Sequence, residues 1–188
     1  LLFVLLAVLA GGVSPAWAET LTETFDEVTV TSRYLLSNGW VMVHSNGSYQ
    51  GFGGSYDYQI KSGNYDGETG NSLYCNYSDD NEYVVIPTKL SGTFTYYVKY
   101  SGSSNGTVTF FEAQKDGDTF SVTATQLATT STGSSWVSKS FDLGEDGKYV
   151  AICLLKSRID QISATVYEEI TGPVLKVFDG STQLTSGY

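Results

Sequence analysis

From residue 19 onward no stretch keeps apolar residues at i, i+3, i+4 and i+7 over three turns, and period-two alternation recurs instead. In GTFTYYVKYS, Phe94, Tyr96, Val98 and Tyr100 share one face of a strand. In GKYVAICLLK, Tyr149, Ala151, Cys153 and Leu155 face one way, and Val150, Ile152 and Leu154 face the other. A strand apolar on both sides reads as central and covered twice. Further strands read at about 21–30, 39–45, 56–61, 72–77, 82–88, 107–113, 118–127, 135–142 and 159–168. Asn105-Gly106, Asp116-Gly117 and Asp146-Gly147 separate them with the dipeptides that tight hairpins favour. Many short strands without helices predict an all-β sandwich or barrel, with a jelly-roll β-sandwich the preferred form.

The first eighteen residues, LLFVLLAVLAGGVSPAWA, carry no charge. The apolar run Leu1 to Val13 is shorter than the roughly 20 residues that cross a bilayer. Pro15 and the small-x-small Ala16-Trp17-Ala18 follow it, which reads as a signal peptide over 1–18 cut before Glu19. The expectation is a secreted or cell-surface protein with no membrane span in the mature chain. About 170 residues then remain, enough for one domain with its own core.

The net charge of −10 falls entirely on that mature part. An acidic domain repels phosphate backbones and anionic lipid, so nucleic acid is not an expected partner. Cys75 and Cys153 each sit in an apolar, strand-like run. Export would allow them to pair, and burial as small hydrophobes is the other reading.

Residues 45–71, SNGSYQGFGGSYDYQIKSGNYDGETGN, are rich in Gly, Tyr, Ser and Asn and poor in aliphatics. They read as either a long exposed connection or a binding loop carrying aromatic platforms. In the second reading Tyr49, Phe52, Tyr56, Tyr58 and Tyr65 supply flat rings, and Asn64 and Asp66 supply planar polar groups. That combination suits an extracellular glycan or glycoprotein. Trp40 and Trp136 have strand contexts and are expected in the core. After Glu168-Glu169, the run Thr171-Gly172-Pro173 reads as a linker and Val174 to Phe178 as a new strand. The expected organisation is therefore signal peptide 1–18, domain 19–169, and a linker with the start of a second β domain over 170–188.

The order of motifs over residues 20–168 resembles the cleaved-adhesin, or choice-of-anchor J, domains of large secreted bacterial proteins. The motifs are Glu23-Thr24-Phe25-Asp26, Gly39-Trp40, Gly70 to Leu73, Tyr83-Val84-Val85-Ile86-Pro87, Trp136 with Phe141-Asp142-Leu143, Gly147 to Ile152, and Ile159-Asp160-Gln161-Ile162. Gln161 stands where the family usually has a second acid, and Tyr83 where it usually has a tryptophan. The tail PVLKVFDGSTQLTSGY resembles the opening of an immunoglobulin-like repeat, so further domains of the same polypeptide are expected as partners. The resemblance implies a jelly-roll sandwich of galactose-binding or MAM-like type. It implies an accessory or adhesion module of the kind that accompanies proteases, glycoside hydrolases and surface adhesins. A spacer domain with no small ligand is the alternative role.

No catalytic constellation is visible in the sequence. His44 is the single histidine and has no Ser or Cys partner nearby; there is no Gly-x-Ser-x-Gly elbow and no spaced His/Cys set for zinc. Glu23 and Asp26 are three apart, which puts them on opposite faces of one strand, unsuited to paired-carboxylate chemistry. Jelly-roll binding modules often hold structural calcium near their first and last strands. The matching acids here are Glu23 or Asp26 with Asp160, joined by backbone carbonyls around Gly70. The other role for Asp160 is to hydrogen-bond a loop.

Overall fold

The structure, a computed structural model, describes residues 18–44, 51–53, 58–65, 70–76, 82–102, 106–169, 178–179 and 182–183. Every regular element among them is a strand. The first six are β1 (Thr20–Glu23), β2 (Val30–Ser32), β3 (Leu35–Leu36), β4 (Val41–His44), β5 (Tyr58–Ser62) and β6 (Asn71–Cys75). The long central ones are β7 (Glu82–Tyr100), β8 (Thr107–Asp116) and β9 (Thr119–Ser131). Then come β10 (Val137–Asp142), β11 (Lys148–Leu155) and β12 (Ser157–Val166), followed by a small hairpin of β13 (Phe178–Asp179) and β14 (Thr182–Gln183). Strands β1 to β12 join one sheet, with order β2-β3-β4-β7-β11-β8-β9 along one arm. On the other arm β10 and β12 flank β7, β1 and β6 pair with β12, and β5 pairs with β6.

β7 creates the two layers. The first half pairs with β4 and β11, and the second half with β10 and β12. Pro87 and Gly92 make this stretch read as two strands, 82–88 and 94–100, yet it is one strand of 19 residues. Ile86 faces Val150 and Leu90 faces Lys148, so Pro87 falls within a bulge where its missing N–H breaks no regular ladder. Gly92 takes φ +66°, donates its N–H to the Gly144 carbonyl at 2.7 Å and accepts the Leu143 N–H at 2.8 Å. The strand therefore bends there without ending, and the sheet folds over its own core.

Residues 21–30 read as one strand, yet they form two short ones, β1 and β2. The chain turns at Phe25, whose φ is 60°, while the Glu23 carboxylate accepts the Phe25 N–H at 2.6 Å. The turn drives the Phe25 ring into the core, edge-on to Trp40 at 5.4 Å.

Between the layers, Phe94, Tyr96, Phe110 and Phe141 form a continuous aromatic cluster with ring centroids 4.6–6.2 Å apart. β11 is covered on both faces as its pattern predicts, with Val150 to Leu154 all buried. Trp40 is core, as expected. Trp136 is not: it is half-buried just before β10, with the Lys99 amine 5.4 Å from its ring. Cys75 and Cys153 are both buried and no disulfide joins them. Among the described residues no helix is long and apolar enough to cross a membrane. The expected signal segment, Ala18 apart, and the expected linker Thr171-Gly172-Pro173 lie outside the described residues.

Candidate functional site

The outer face of the first arm, turned away from the main core, is also apolar. Val85, Ala113 and Ala151 are buried there, with Val43, Tyr83, Phe111, Phe120 and Tyr149 packed around them. Ala151 on β11 lies opposite Val85 on β7 and opposite Phe111 on β8. Its single methyl leaves room above β11, and the Tyr83 and Phe111 rings meet edge-to-face across that strand at 5.5 Å and 90°. Phe120 and Tyr149 form a second such pair at 5.3 Å.

β9 bends over this face. Its pairing with β8 slips on both sides of Phe111, and such bulges curve a strand. Thr123 secures the bend by donating its hydroxyl to the Glu112 carbonyl at 3.0 Å and accepting the Thr125 N–H at 3.1 Å. Between β9, β4 and β7 lies a cleft of about 430 Å³, lined by Val43, His44, Tyr83, Phe120, Ser121, Val122, Thr123 and Ala124. Flat rings beside hydroxyls in a concave setting are what a small polar ligand requires.

His44 sits opposite Glu82 in the β4–β7 register, with Nδ1 3.4 Å from Glu82 Oε1 and Tyr34 edge-on at 5.7 Å. The local sequence shows His44 no partner because Glu82 arrives only through strand pairing. Tyr83, which stands where the family usually has a tryptophan, lines the cleft.

The 45–71 segment divides differently from its expectation as a binding loop. Tyr58 is fully buried in β5: its hydroxyl donates to the Glu82 carbonyl at 3.1 Å and accepts the Leu154 N–H at 2.6 Å. Burial pushes its phenol pKa well above the ordinary value, reinforced by the thiols of Cys153 and Cys75. Phe52 is a core residue as well. Neither ring can serve as a ligand platform, because each fills the space between strands that an aliphatic would otherwise occupy. Asn64 is buried too, while Tyr65 is exposed and stacks on Tyr97 at 3.6 Å. Tyr49, Tyr56 and Asp66 lie outside the described residues.

The three candidate metal acids have separate engagements. Glu23 accepts the Phe25 N–H and the Asn38 amide, both at 2.6 Å. Asp160 is buried and accepts the N–H groups of Tyr65 at 2.8 Å and Gln161 at 2.7 Å, so it ties β12 to the segment after β5. Asp26 accepts the Asn71 N–H at 2.8 Å. A side chain at Gly70 would run into Asp26 Oδ1 and the Asn64 amide, which therefore converge on one small cradle. Asn64 Oδ1 is buried and accepts no hydrogen bond among the described residues. Among the described residues no three His, Cys, Asp or Glu side chains group closely enough to hold a metal by themselves.

By sequence, no family model and no curated protein matches the chain. By structure, the K1 cleaved adhesin domain of Lys-gingipain from Porphyromonas gingivalis superposes with a TM-score of 0.53 at 15% identity, covering 80% of this chain and 99% of that domain. The fold is that of a cleaved adhesin domain. The same jelly roll carries the CBM22-1 xylan-binding domain of Xyn10C from Paenibacillus barcinonensis, with a TM-score of 0.51 at 15% identity, covering 79% of this chain and 95% of that one. The sequence resemblance thus predicted the jelly roll correctly, although the motifs that carry it lie largely in the core and not in the cleft.

Proposed function

We propose that the chain is a non-catalytic extracellular binding module that holds a neutral polysaccharide strand in the cleft between β4 and β9. The observation that carries this reading is the lining itself. Tyr83 and Phe120 offer rings to the C–H faces of sugars, while the exposed Ser121 hydroxyl offers a hydrogen bond at the rim. A jelly roll that also hosts a xylan-binding domain supports it at the level of fold. The uncharged segment 1–18 supports placement in a secreted or surface protein. The test is affinity electrophoresis of the folded protein through gels containing xylan, mixed-linkage glucan or mannan. Retardation by one of them is the expected result, and free migration through all three contradicts the reading.

A second reading, a spacer domain with no small ligand, is favoured by one observation. Phe52 and Tyr58, two of the aromatics expected to bind, instead stabilise the core.

Structural calcium fits the Asp26–Asn64–Gly70 cradle. Asp26 supplies a carboxylate and Asn64 a buried carbonyl oxygen without a partner among the described residues, and Gly70 lets both side chains close against its backbone. Calcium prefers such oxygen ligands, and when bound it would neutralise Asp26 and join the 63–71 segment to the first strand. Asp160 would act beside it by holding Tyr65 in place.

A further inference from the structure

The outer face of the second arm carries a feature that the cleft does not use. Lys99 on β7 lies directly opposite Arg158 on β12, and Arg158 lies directly opposite Tyr74 on β6. Like charges directly opposed across strands destabilise a sheet. The chain has only 10 Lys and Arg against 20 Asp and Glu, so placing two cations face to face is not a matter of supply. Each cation is drawn aside onto a ring. The Lys99 amine lies 5.4 Å from Trp136, and the Arg158 guanidinium lies 4.6 Å from the Tyr74 ring. Lys61 on β5 approaches the same Tyr74 ring at 4.2 Å, which adds a third cation. Neither lysine nor Arg158 forms an ion pair with an acid among the described residues.

Arg158 is anchored in place. Its Nη1 donates to the Ser62 carbonyl at 2.8 Å, the Gly63 carbonyl at 3.2 Å and the Ser72 hydroxyl at 3.4 Å. All three bonds leave one nitrogen, so the rest of the guanidinium fork is uncommitted among the described residues. A fork held rigid in this way suits two-point recognition of a carboxylate or a sulfate.

We propose that the Lys61–Tyr74–Arg158–Lys99–Trp136 row, three cations interleaved with two rings across neighbouring strands, is a second binding site, for an acidic glycan. The carboxylate or sulfate of one sugar bridges Lys99 and Arg158 and offsets their repulsion, while Trp136 stacks on a sugar face. A glycan fits this row better than a nucleic acid does. The whole-protein charge of −10 opposes a densely charged polymer at long range. A glycan with about one charge per sugar meets the local cations within the roughly 8 Å over which salt leaves charges unscreened. The row shares no residue with the lining of the β4–β9 cleft.

The experiment measures binding of the protein to polygalacturonate and to a sulfated galactan, with polyglutamate as the polyanion control. Binding to one glycan, weakened by added salt and absent for polyglutamate, is the expected result. The glycan that binds identifies whether a carboxylate or a sulfate is recognised. The surface variant Lys61→Gln/Lys99→Gln should melt as the wild type does and bind about tenfold or more weakly, the range expected for losing hydrogen bonds to charged groups. Should that double variant melt early, Lys99→Gln alone replaces it. Cleft variants such as Phe120→Ala should leave acidic-glycan binding unchanged. Equal binding to polyglutamate, undiminished binding by a folded variant, or no binding to either glycan overturns the proposal.

Discussion

The Leu154 amide donates a 2.6 Å hydrogen bond to the hydroxyl of Tyr58, 96 residues earlier in the chain. The same hydroxyl donates to the Glu82 carbonyl at 3.1 Å, so one phenol satisfies two strands from inside the core. Replacement by Phe keeps the ring and removes both bonds. Tyr58→Phe is expected to lose about 1–3 kcal/mol, because a buried N–H and a buried C=O are left unsatisfied. Urea unfolding of the two proteins measures this.

The same residue predicts a pH dependence. Burial raises the folded-state pKa of Tyr58 above the unfolded phenol value, which is near 10. A group with a raised folded pKa contributes stability that is complete below the unfolded value and is lost as pH rises toward the folded one. Wild-type stability should therefore fall above about pH 10. Tyr58→Phe should lack that component of the slope, and parallel pH profiles for the two proteins would contradict this account.

Gly147 tests why a glycine is needed. A Cβ there would strike the Tyr167 ring. Gly147→Ala should destabilise by about 1–3 kcal/mol through overpacking. In the Tyr167→Gly background, which also removes the Cβ 2.8 Å away, the same change should be nearly neutral, because contacting residues are not additive. Additive losses in a double-mutant cycle would show that the glycine serves a backbone conformation instead.

That glycine illustrates what could be read beforehand and what could not. Asp116-Gly117 is the hairpin turn it reads as, with Gly117 at φ +57° between β8 and β9. Asp146-Gly147 has the same signature for a different reason, the Tyr167 side chain packed against the glycine. The alternation in 94–100 and 148–155 was legible because burial on defined faces enforces it. The continuity of β7 was not, since Pro87 and Gly92 look like breakers until the bulge opposite Tyr149 is known. The cleft was not legible either. Tyr83 and Phe120 come from different strands and become neighbours only through pairing register and the bend of β9. The aliphatic-poor stretch around Tyr58 resembled a binding loop because its core role depends on Leu154, far along the chain.

Calcium should stabilise the fold through the Asp26–Asn64 cradle. A ligand that binds only the folded state stabilises it by RT ln(1 + [L]/Kd), about 2.7 kcal/mol at a hundredfold excess over Kd. Millimolar calcium should raise the melting temperature of the wild type and not that of Asp26→Ala. Asp160→Ala should melt earlier in calcium and in chelator alike, through the lost Tyr65 and Gln161 bonds. Identical wild-type curves in calcium and chelator would contradict the metal reading.

On the proposed function, a neutral glycan occupies the cleft beneath β9 and not the 45–71 segment. Isothermal titration with a soluble oligosaccharide of the polymer that retards the wild type tests it most directly, comparing Phe120→Ala, Tyr83→Ala and Tyr65→Ala after matched melting curves. Loss of one stacked ring should remove on the order of 1–3 kcal/mol, or about tenfold or more in affinity. That loss is expected for Phe120→Ala and Tyr83→Ala, and wild-type affinity for Tyr65→Ala. Full affinity in both cleft variants, with loss in Tyr65→Ala, would contradict it and return the site to the loop.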